Sequence, residues 1–238
     1  MTREEKIQYL QLLEEKERRA KYRKLFSYYP DVGPLRRELY KKHLEFFEAG
    51  LTNEERLFLA ANRVGKTEGA GGYETANHLT GLYPHWWNGK KFDKPIDAWA
   101  AGDTSETVRD IIQLKLLGPL HDIGSGLIPK DSIKDYTRKR GVSDSVDTIY
   151  VKHASGGVSQ IGLKSYDQKR ISFQGTKKDL IWLDEEPPLD IYTEALLRTT
   201  DTSGKSKDNG LIILTFTPLL GMSEVVMSFL HSEKVANG

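Results

Sequence analysis

The chain has 238 residues, of which 38% are hydrophobic and 29% are charged, so it can bury one substantial core, and one large domain with at most an appendage is expected. The formal net charge of +1 does not identify a partner, because nucleic-acid-binding proteins often concentrate basic residues on one face and balance them elsewhere. The lack of cysteine excludes disulfides and thiolate metal sites, and no stretch approaches the ~20 continuous apolar residues of a membrane span.

The amino-terminal part of the chain is predicted to be helical. Thr2 precedes Glu5 at the spacing of a capping box, and apolar residues then recur at helical intervals along an otherwise charged segment. After a break rich in proline and glycine, a second helix is predicted over residues 35–49, and Gly50 stops it. These features define residues 1–50 as an N-terminal helical segment.

Short apolar runs alternate with helical stretches from residue 57 onwards. The runs are almost continuously apolar, which is typical of parallel strands covered on both faces. The predicted strands are residues 57–61, 98–101, 180–183 and 211–216, and the predicted crossover helices are residues 105–117 and 189–198. Because strands and helices alternate, the pattern predicts an α/β domain over residues 51–238, with a central, mainly parallel sheet flanked by helices.

One segment departs from this alternation. Residues 147–166 contain two strand-like runs joined around Gly156 and Gly157, which predicts a β-hairpin and therefore an antiparallel extension of the sheet. Two loops are also predicted, an aromatic-rich loop at residues 81–95 and a polar loop at residues 201–210.

The stretch ANRVGKT, residues 61–67, has the ingredients of a phosphate-binding loop. Such a loop needs a lysine that reaches the terminal phosphates, a hydroxyl for the metal ion and a helix N-terminus that favours negative charge. Lys66 and Thr67 supply the first two directly after Gly65, and a predicted strand precedes the loop. Two features are unusual, since Ala60 occupies the position of the first glycine and Arg63 lies inside the loop.

A second element is the sequence LIWLDEEPP, in which four apolar residues end in Asp184 and Glu185. A buried strand that delivers an acid in this way is typical of a magnesium site, where the aspartate holds the metal and the glutamate polarises the attacking water. The alternative is that these acids only cap the helix that starts near Pro188. Combined with the lysine loop upstream, the acid pair favours nucleotide hydrolysis.

A third element is TFTPLLG, in which Thr215 and Thr217 end a predicted buried strand and Pro218 forces a turn. Hydroxyls on the strand beside the acid-bearing one are suitably placed to sense the γ-phosphate of ATP. The alternative is that they are β-branched residues at a strand end with no further role.

In this combination the sequence resembles the large subunit of tailed-phage terminases, the ATP-driven motors that package viral DNA into a preformed capsid. The matching pieces occur in order between residues 39 and 222 and are LYKKHLEFFEAG, AANRVGKT, LIWLDEEPP and TFTPLLG. Loops of this family are similar in tolerating a non-glycine first position and in carrying a basic residue inside. The resemblance implies a P-loop NTPase fold of the ASCE type, with ATP and Mg²⁺ as cofactors.

The resemblance also implies roles for individual residues. Glu185, Arg63 and Lys66 would be catalytic, Thr67 and Asp184 would bind Mg²⁺, and Thr215 and Thr217 would couple hydrolysis to movement. The residues expected to bind ATP are Ala60, Ala61, Asn62, Arg63, Val64, Gly65, Lys66 and Thr67, with Tyr40 and His43 at the adenine. The family often has glutamine where His43 stands here, and an aromatic helix face packed in the core is the alternative for Tyr40, Phe46 and Phe47.

The expected function is ATP-driven translocation of double-stranded DNA, in the cytoplasm of an infected bacterial host and without membrane association. The implied partners are the capsid portal and the terminase small subunit, in a ring oligomer on the capsid, with a monomer compatible with the isolated chain. We expect no nuclease domain and no DNA cutting here.

An arginine that acts on the ATP of a neighbouring subunit has four candidates, Arg109, Arg138, Arg140 and Arg170. The alternative functions are a superfamily-2-like helicase and a P-loop small-molecule kinase.

Overall fold

The computed structural model describes residues 2–200, 209–218 and 221–236, so most of the predicted polar loop at 201–210 lies outside the described residues. Its strands are β1 (Glu55–Leu59), β2 (Asp97–Gly102), β3 (Ile133–Arg138), β4 (Val146–Lys152), β5 (Val158–Ser165), β6 (Leu180–Asp184) and β7 (Leu211–Phe216). Its α-helices are α1 (Arg3–Lys21), α2 (Lys41–Glu48), α3 (Tyr73–Thr80), α4 (Ser105–Thr107), α5 (Leu114–Leu117), α6 (Leu189–Thr199) and α7 (Glu224–Ala236). Two π-helical turns, Lys66–Gly72 and Val108–Gln113, lead into α3 and join α4 to α5.

The strands form one seven-stranded sheet in the order β1-β7-β6-β2-β5-β4-β3. Along this order, all pairings from β1 to β5 are parallel, while β4 pairs antiparallel with both β5 and β3. The α/β prediction is therefore confirmed, including the hairpin extension. Parallel neighbours place the carboxyl ends of β1, β7 and β6 at one edge of the sheet, which brings together the three sequence motifs.

Two apolar layers sandwich the parallel part of the sheet, because successive side chains of each strand point to opposite faces. On one face Trp182 and Ile213 pack with the first core cluster, which includes residues of α2 and α3. On the other face Leu183 and Leu214 pack with α6 and α7. Every residue of β6 and β7 is buried, which is the physical reason for their continuous apolar sequences.

Two element boundaries differ from the predictions by two residues or more, and the strand β3 was not predicted. The strand predicted at 57–61 is observed two residues earlier, because the chain leaves the sheet after Leu59 to form the loop. The helix predicted from residue 35 begins as a 3-10 turn at Arg37 and becomes α2 only at Lys41. Arg36 has an extended ψ of 140°, and the Arg37 amide donates to the Pro30 carbonyl at 3.0 Å, so a turn occupies the predicted helix start.

The first helix has the predicted cap but does not bury an apolar stripe. Thr2 and Glu5 exchange hydrogen bonds, with the Thr2 amide 2.7 Å from the Glu5 carboxylate and the Glu5 amide 3.2 Å from the Thr2 hydroxyl. Ile7 and Leu10 on α1 are 47% and 58% exposed. None of the helices in the described part of the chain combines the length and the apolar character needed to cross a bilayer.

A buried charged network ties β1 to the helix that follows the loop. Arg56 of β1 donates to both carboxylate oxygens of Glu74 on α3, at 3.0 and 2.7 Å, and to the Phe46 carbonyl at 2.7 Å. His78 lies 3.1 Å from the same carboxylate. Because buried charges are tolerated only when paired, this network fixes the two elements that flank residues 60–65.

Candidate nucleotide-binding site

The loop between β1 and α3 has the backbone of a phosphate cradle. Arg63 and Gly65 both have left-handed conformations, with φ of 66° and 85°, and a π-helical turn begins at Lys66. This geometry turns the chain sharply from the strand into the helix, whose N-terminal amides favour negative charge. Residues 61–65 are exposed, so the loop opens to solvent as a ligand site must.

Small residues let the helix lie close against the sheet. A Cβ atom added to Gly71 would lie 2.3 Å from Trp182 Nε1, so a larger residue there would displace the helix from β6. The close approach brings Thr67, at the start of the helix, within reach of the end of β6. The glycine-rich sequence therefore decides how near the loop comes to the acidic residues.

Lys66 connects the loop to the end of β7. The residue is only 6% exposed, and its Nζ donates to the Ala61 carbonyl at 3.0 Å and to the Thr217 hydroxyl at 2.8 Å. Thr217 Oγ1 also lies 2.9 Å from the Ala60 carbonyl and 2.9 Å from Asn62 Oδ1. The second threonine of the predicted coupling motif is thus in direct contact with the phosphate-loop lysine.

Asp184 is held by two threonine hydroxyls at the end of β6. Thr67 Oγ1 lies 3.0 and 3.2 Å from its two carboxylate oxygens, and Thr215 Oγ1 donates to Oδ1 at 2.7 Å. Trp182 Nε1 donates to Thr215 at 2.8 Å and so fixes that hydroxyl. Burial raises the pKa of Asp184 to about 7, although the hydroxyl hydrogen bonds oppose the rise.

The oxygen donors of this corner suit Mg²⁺, which is bound in proteins through one or two carboxylates while phosphate oxygens and water complete its shell. Asp184 and Thr67 are such donors, and a buried carboxylate that is costly to ionise alone favours a nearby cation. Among the described residues there is no group of three or more histidine, cysteine or acidic residues that would hold a metal by itself. The residues present therefore fit a magnesium ion that a nucleotide brings with it.

Glu185 follows in a left-handed conformation with φ of 63°. Its amide donates to the Thr215 carbonyl at 3.1 Å, and the Tyr166 hydroxyl lies 3.1 Å from its own carbonyl. The residue is half-buried, whereas Asp184 is 3% exposed, so the two acids of the pair occupy different environments. Of the two acids, Glu185 is therefore the more accessible to solvent.

His43 lies beneath the phosphate loop. Its Nε2 is 3.0 Å from the Val64 carbonyl, and its Nδ1 is 2.6 Å from the Tyr29 hydroxyl, which also lies 2.6 Å from the Gly69 carbonyl. Burial lowers the pKa of His43, and because the Val64 carbonyl can only accept, Nε2 is the donor in this hydrogen bond. The ring supports the loop backbone, and its predicted contact with adenine stays a prediction.

Beside the loop lies a cavity of about 400 Å³. Tyr40 is half-buried at this cavity, whereas Phe46 and Phe47 are buried in the core, as the alternative interpretation of that helix face expects. The residues lining the cavity are Lys24, Ser27, Tyr28, Tyr29, Leu35, Tyr40, His43, Gly65, Glu68 and Gly69. The N-terminal segment and the loop therefore enclose this space together.

Glu68 joins three parts of the molecule at the same cavity. Its carboxylate accepts from Tyr28 at 2.6 Å and pairs with Lys24 and with Lys115 of α5. Burial opposes ionisation, but the hydrogen bonds from Lys115, Lys24 and Tyr28 outweigh it and lower the pKa of Glu68 to about 2. Glu68 was not predicted from the sequence as a site residue, because an acidic residue after the Gly-Lys-Thr triplet is also expected simply at the N-terminus of a helix.

The candidate arginines lie in different settings. Arg63 is exposed within the loop, and Arg138 and Arg140 are exposed at the end of the β3 strand. Arg109 pairs with the adjacent Asp110 at 2.7 Å, and Arg170 pairs with Glu194 at 2.8 Å. The choice of a trans-acting arginine remains open among the four candidates of the sequence analysis.

Two further residues of the site were missed by the sequence analysis. Trp182 and Asp184 are two positions apart on β6, so they share a face of the sheet, and this spacing was the available signal for Trp182. Tyr166 lies outside the phosphate loop, the acid pair and the threonine motif, and no local sequence pattern marks it. Its contact with the end of β6 follows from the strand order alone.

The sequence matches the family model described as terminase large subunit, T4likevirus-type, N-terminal, over residues 57–236. It is 38% identical over 258 aligned positions to the terminase large subunit of Salmonella phage P22, and the match covers 98% of this chain and 48% of that protein. The chain thus spans about half the length of this curated relative.

Among solved structures it is similar to the large terminase ATPase domain of Thermus phage P74-26, with a TM-score of 0.45, 17% identity and coverage of 74% of this chain and 68% of that chain. It is also similar to the large terminase of a thermophilic bacteriophage, with a TM-score of 0.46, 13% identity and coverage of 74% of this chain and 38% of that chain.

Proposed function

The chain belongs to the terminase large subunit family, to its T4likevirus-type N-terminal part, and from this premise we propose that it is an ATP-hydrolysing motor domain that drives double-stranded DNA into a viral capsid. The single observation that carries the proposal is the contact of the phosphate loop with both neighbouring strand ends. Lys66 meets Thr217 of the β7 end, and Thr67 meets Asp184 of β6.

The phosphate-binding roles follow from these positions. Lys66 is buried and bonded to oxygen atoms of residues 61 and 217, so incoming phosphate oxygens can replace those acceptors without moving the backbone. Thr67 and Asp184 are the residues that would hold Mg²⁺, which when bound neutralises charge on the β- and γ-phosphates. The nucleotide loop is accordingly residues 60–67.

Hydrolysis requires an activated water and a cation at the transferred phosphoryl group. Glu185 is the more exposed acid of the pair at this edge, so it orients the water and accepts its proton. Arg63 lies exposed in the same loop as Lys66, and its planar guanidinium suits the charge that develops on the γ-phosphate oxygens. Both assignments are our proposals for this chain.

Coupling to movement is assigned to the two threonines that end β7. Thr215 bonds Asp184, and Thr217 bonds Lys66, so one strand touches the metal-binding and the phosphate-binding sides of the site. A change of either side on hydrolysis therefore alters the hydrogen bonds of this strand end.

We place the adenine base in the cavity of about 400 Å³ beside Gly65. Tyr40 offers a half-buried aromatic face there, and His43 contributes by supporting the loop that forms the cavity wall. We also propose residues 1–50 as a helical segment that closes this cavity, and residues 51–238 as the ATPase domain. The proposed partners are double-stranded DNA, the capsid portal and the terminase small subunit, in a ring in the cytoplasm of the infected bacterium.

Steady-state ATP hydrolysis by this chain, with and without duplex DNA, tests the proposal. We expect Mg²⁺-dependent release of free phosphate that duplex DNA stimulates. Lys66→Ala should abolish turnover and weaken nucleotide binding, whereas Glu185→Gln should abolish turnover and keep nucleotide binding. Substantial hydrolysis by Glu185→Gln would remove that residue from the catalytic role.

The same assays separate the alternative functions. A small-molecule kinase would transfer the labelled γ-phosphate to an acceptor and not to water. A helicase would separate the strands of a forked duplex. An intact set of Lys66, Thr67, Asp184 and Glu185 argues against a purely structural role, because such a role needs none of these contacts.

A further inference from the structure

A tyrosine hydroxyl meets the backbone at the end of β6. Tyr166 directly follows β5, and its side chain reaches past the end of β2 to the turn after β6. Its Oη lies 3.0 Å from the Asp184 carbonyl, 3.1 Å from the Glu185 carbonyl and 3.5 Å from the Ala101 carbonyl. All three neighbours are acceptors, so the hydroxyl serves here as a donor.

The backbone that this hydroxyl contacts is strained. Glu185 has φ of 63°, a conformation that residues with a Cβ atom rarely adopt and that persists only where surrounding contacts hold it. Two contacts do so, since the Glu185 amide donates to the Thr215 carbonyl at 3.1 Å and the Glu185 carbonyl shares the single proton of the Tyr166 hydroxyl with the Asp184 carbonyl. The first contact continues the sheet, while the second comes from a strand two positions away.

We propose that Tyr166 is a positioning residue for Glu185, which holds the turn after β6 in the conformation that directs the Glu185 carboxylate toward the attacking water. The inference rests on the proposed function, because it takes Glu185 as the residue that activates water. Tyr166 touches no reacting atom in this assignment and acts only through the backbone of residues 184 and 185.

Packing alone accounts for the ring of Tyr166 but not for its hydroxyl. The residue is 6% exposed and belongs to the second core cluster, where its ring lies 6.5 Å from that of Phe173. A phenylalanine would fill the same space in that cluster. The polar end of the side chain, directed at three carbonyl groups beside the acid pair, is therefore the part with a further role.

Tyr166→Phe tests the inference because it removes one oxygen atom and leaves the ring. We expect kcat for DNA-stimulated ATP hydrolysis to fall about 10-fold or more, since small misplacements of a catalytic group are costly. KM for ATP and Kd for ADP should stay within about twofold, because the residues of the phosphate loop are untouched. The NMR shifts of the Glu185 amide and Cα, which report its left-handed backbone, should change.

Tyr192→Phe is the matched control. Tyr192 is also buried, at 5% exposure, and its hydroxyl also donates a hydrogen bond, to Glu55 at the other end of the sheet's β1 strand. This variant loses the same atom from the same core cluster without touching residues 184 and 185. We expect its kcat to stay within about twofold of the unmodified chain and its Glu185 shifts to be unchanged.

Three results would overturn the inference. The first is a Tyr166→Phe variant with unchanged kcat and unchanged Glu185 shifts, while Glu185→Gln is inactive; the proposed function would then stand and only the role of Tyr166 would fall. The second is an equal loss of kcat in Tyr166→Phe and Tyr192→Phe, which would indicate a general loss of packing. The third is full turnover by Glu185→Gln, which would remove the catalytic role of Glu185 and the positioning role with it.

Discussion

The parallel and the antiparallel halves of the sheet differ in what their strands bury. In the parallel half, all residues of β6 and β7 are buried and the site residues follow at their carboxyl ends. In the antiparallel half, burial alternates along β5, and β3 is an exposed edge strand. A strand that is buried on both faces therefore presents polar side chains mainly at its end, whereas a strand that is exposed on one face presents them along its length.

Tyr166 is the point where the two halves meet. It follows β5, the strand with one parallel and one antiparallel neighbour, and contacts the end of β6. A variant of this residue therefore tests whether the antiparallel half influences the chemistry. We expect the two halves to differ in stability, in the hydrogen bonding of buried polar groups, in DNA binding and in the response to pH.

The largest effect is expected from an aromatic truncation in the parallel half. Trp182→Ala should lower the free energy of unfolding by about 3–5 kcal/mol, because it leaves a large cavity under the glycine-rich helix. Tyr150→Ala, on half-buried β4, should cost about 1 kcal/mol. Urea unfolding followed by circular dichroism measures both. Equal losses would show that the two halves contribute alike and would break the comparison.

A smaller effect is expected from a single hydroxyl. Thr215→Val keeps the shape of the side chain but leaves Trp182 Nε1 without its acceptor and Asp184 without one of its two hydroxyl donors, which should cost about 1–3 kcal/mol of unfolding free energy. Thr148→Val, on half-buried β4, should stay within about 0.5 kcal/mol. Thermal or urea unfolding of the two variants decides the point. A Thr215→Val protein as stable as the original would show that this hydrogen-bond chain contributes nothing.

The antiparallel half carries exposed basic residues that we expect to contact DNA. Arg138→Glu should weaken binding to duplex DNA and lower the slope of log affinity against log salt concentration by about 1, because one phosphate contact is lost. Arg138 is a better choice for this test than the neighbouring Lys139, because Lys139 Nζ donates a hydrogen bond to the Ser105 hydroxyl. Lys42→Glu, at an exposed position of α2, is the control, and an unchanged salt slope for Arg138→Glu would exclude a DNA role for this strand end.

The smallest effect is a pH dependence that originates under the phosphate loop. Burial lowers the pKa of His43 below its ordinary value of 6.5, so the folded state favours the neutral ring. The stability that this ring contributes is present above pH 6.5 and is lost as the pH falls below it. Urea midpoints at pH 7.5 and pH 5.5 should therefore differ less for His43→Gln than for the original chain. His85→Gln, an exposed control, should keep the original difference, and a His43→Gln protein with that same difference would contradict the assignment.

The motifs were predictable because their chemistry is local. Lys66 and Thr67 follow a strand and open a helix, and Asp184 ends a continuously apolar run, so spacing and hydrophobicity alone place them. Membership of the terminase large subunit family confirms the resemblance on which their roles rest. The hairpin around Gly156 and Gly157 was likewise marked by its turn residues.

Contacts between distant segments were not predictable in the same way. Glu68 meets Lys24 and Lys115 only because the N-terminal segment and α5 both pack near the same helix turn. His43 was predicted at the adenine from its place in a motif, and this contact stays a prediction, while its hydrogen bond to the Val64 carbonyl had no local signal. The periodicity of apolar residues shows which face of an element is buried, but it does not show which other element covers that face.

The apolar strands, the hairpin, the phosphate loop, the acid pair and the family could be predicted from the sequence alone, because each depends on residues adjacent in the chain or repeated at a fixed period, whereas the exposed edge strand β3 was not predicted. Only the tertiary structure decided that Thr217 touches Lys66, that Trp182 and Thr215 hold Asp184, and that Tyr166 contacts the backbone of Glu185. The physical reason is the strand order, since hydrogen bonding between β1, β7, β6 and β2 brings together residues that lie between 19 and 151 positions apart in the chain.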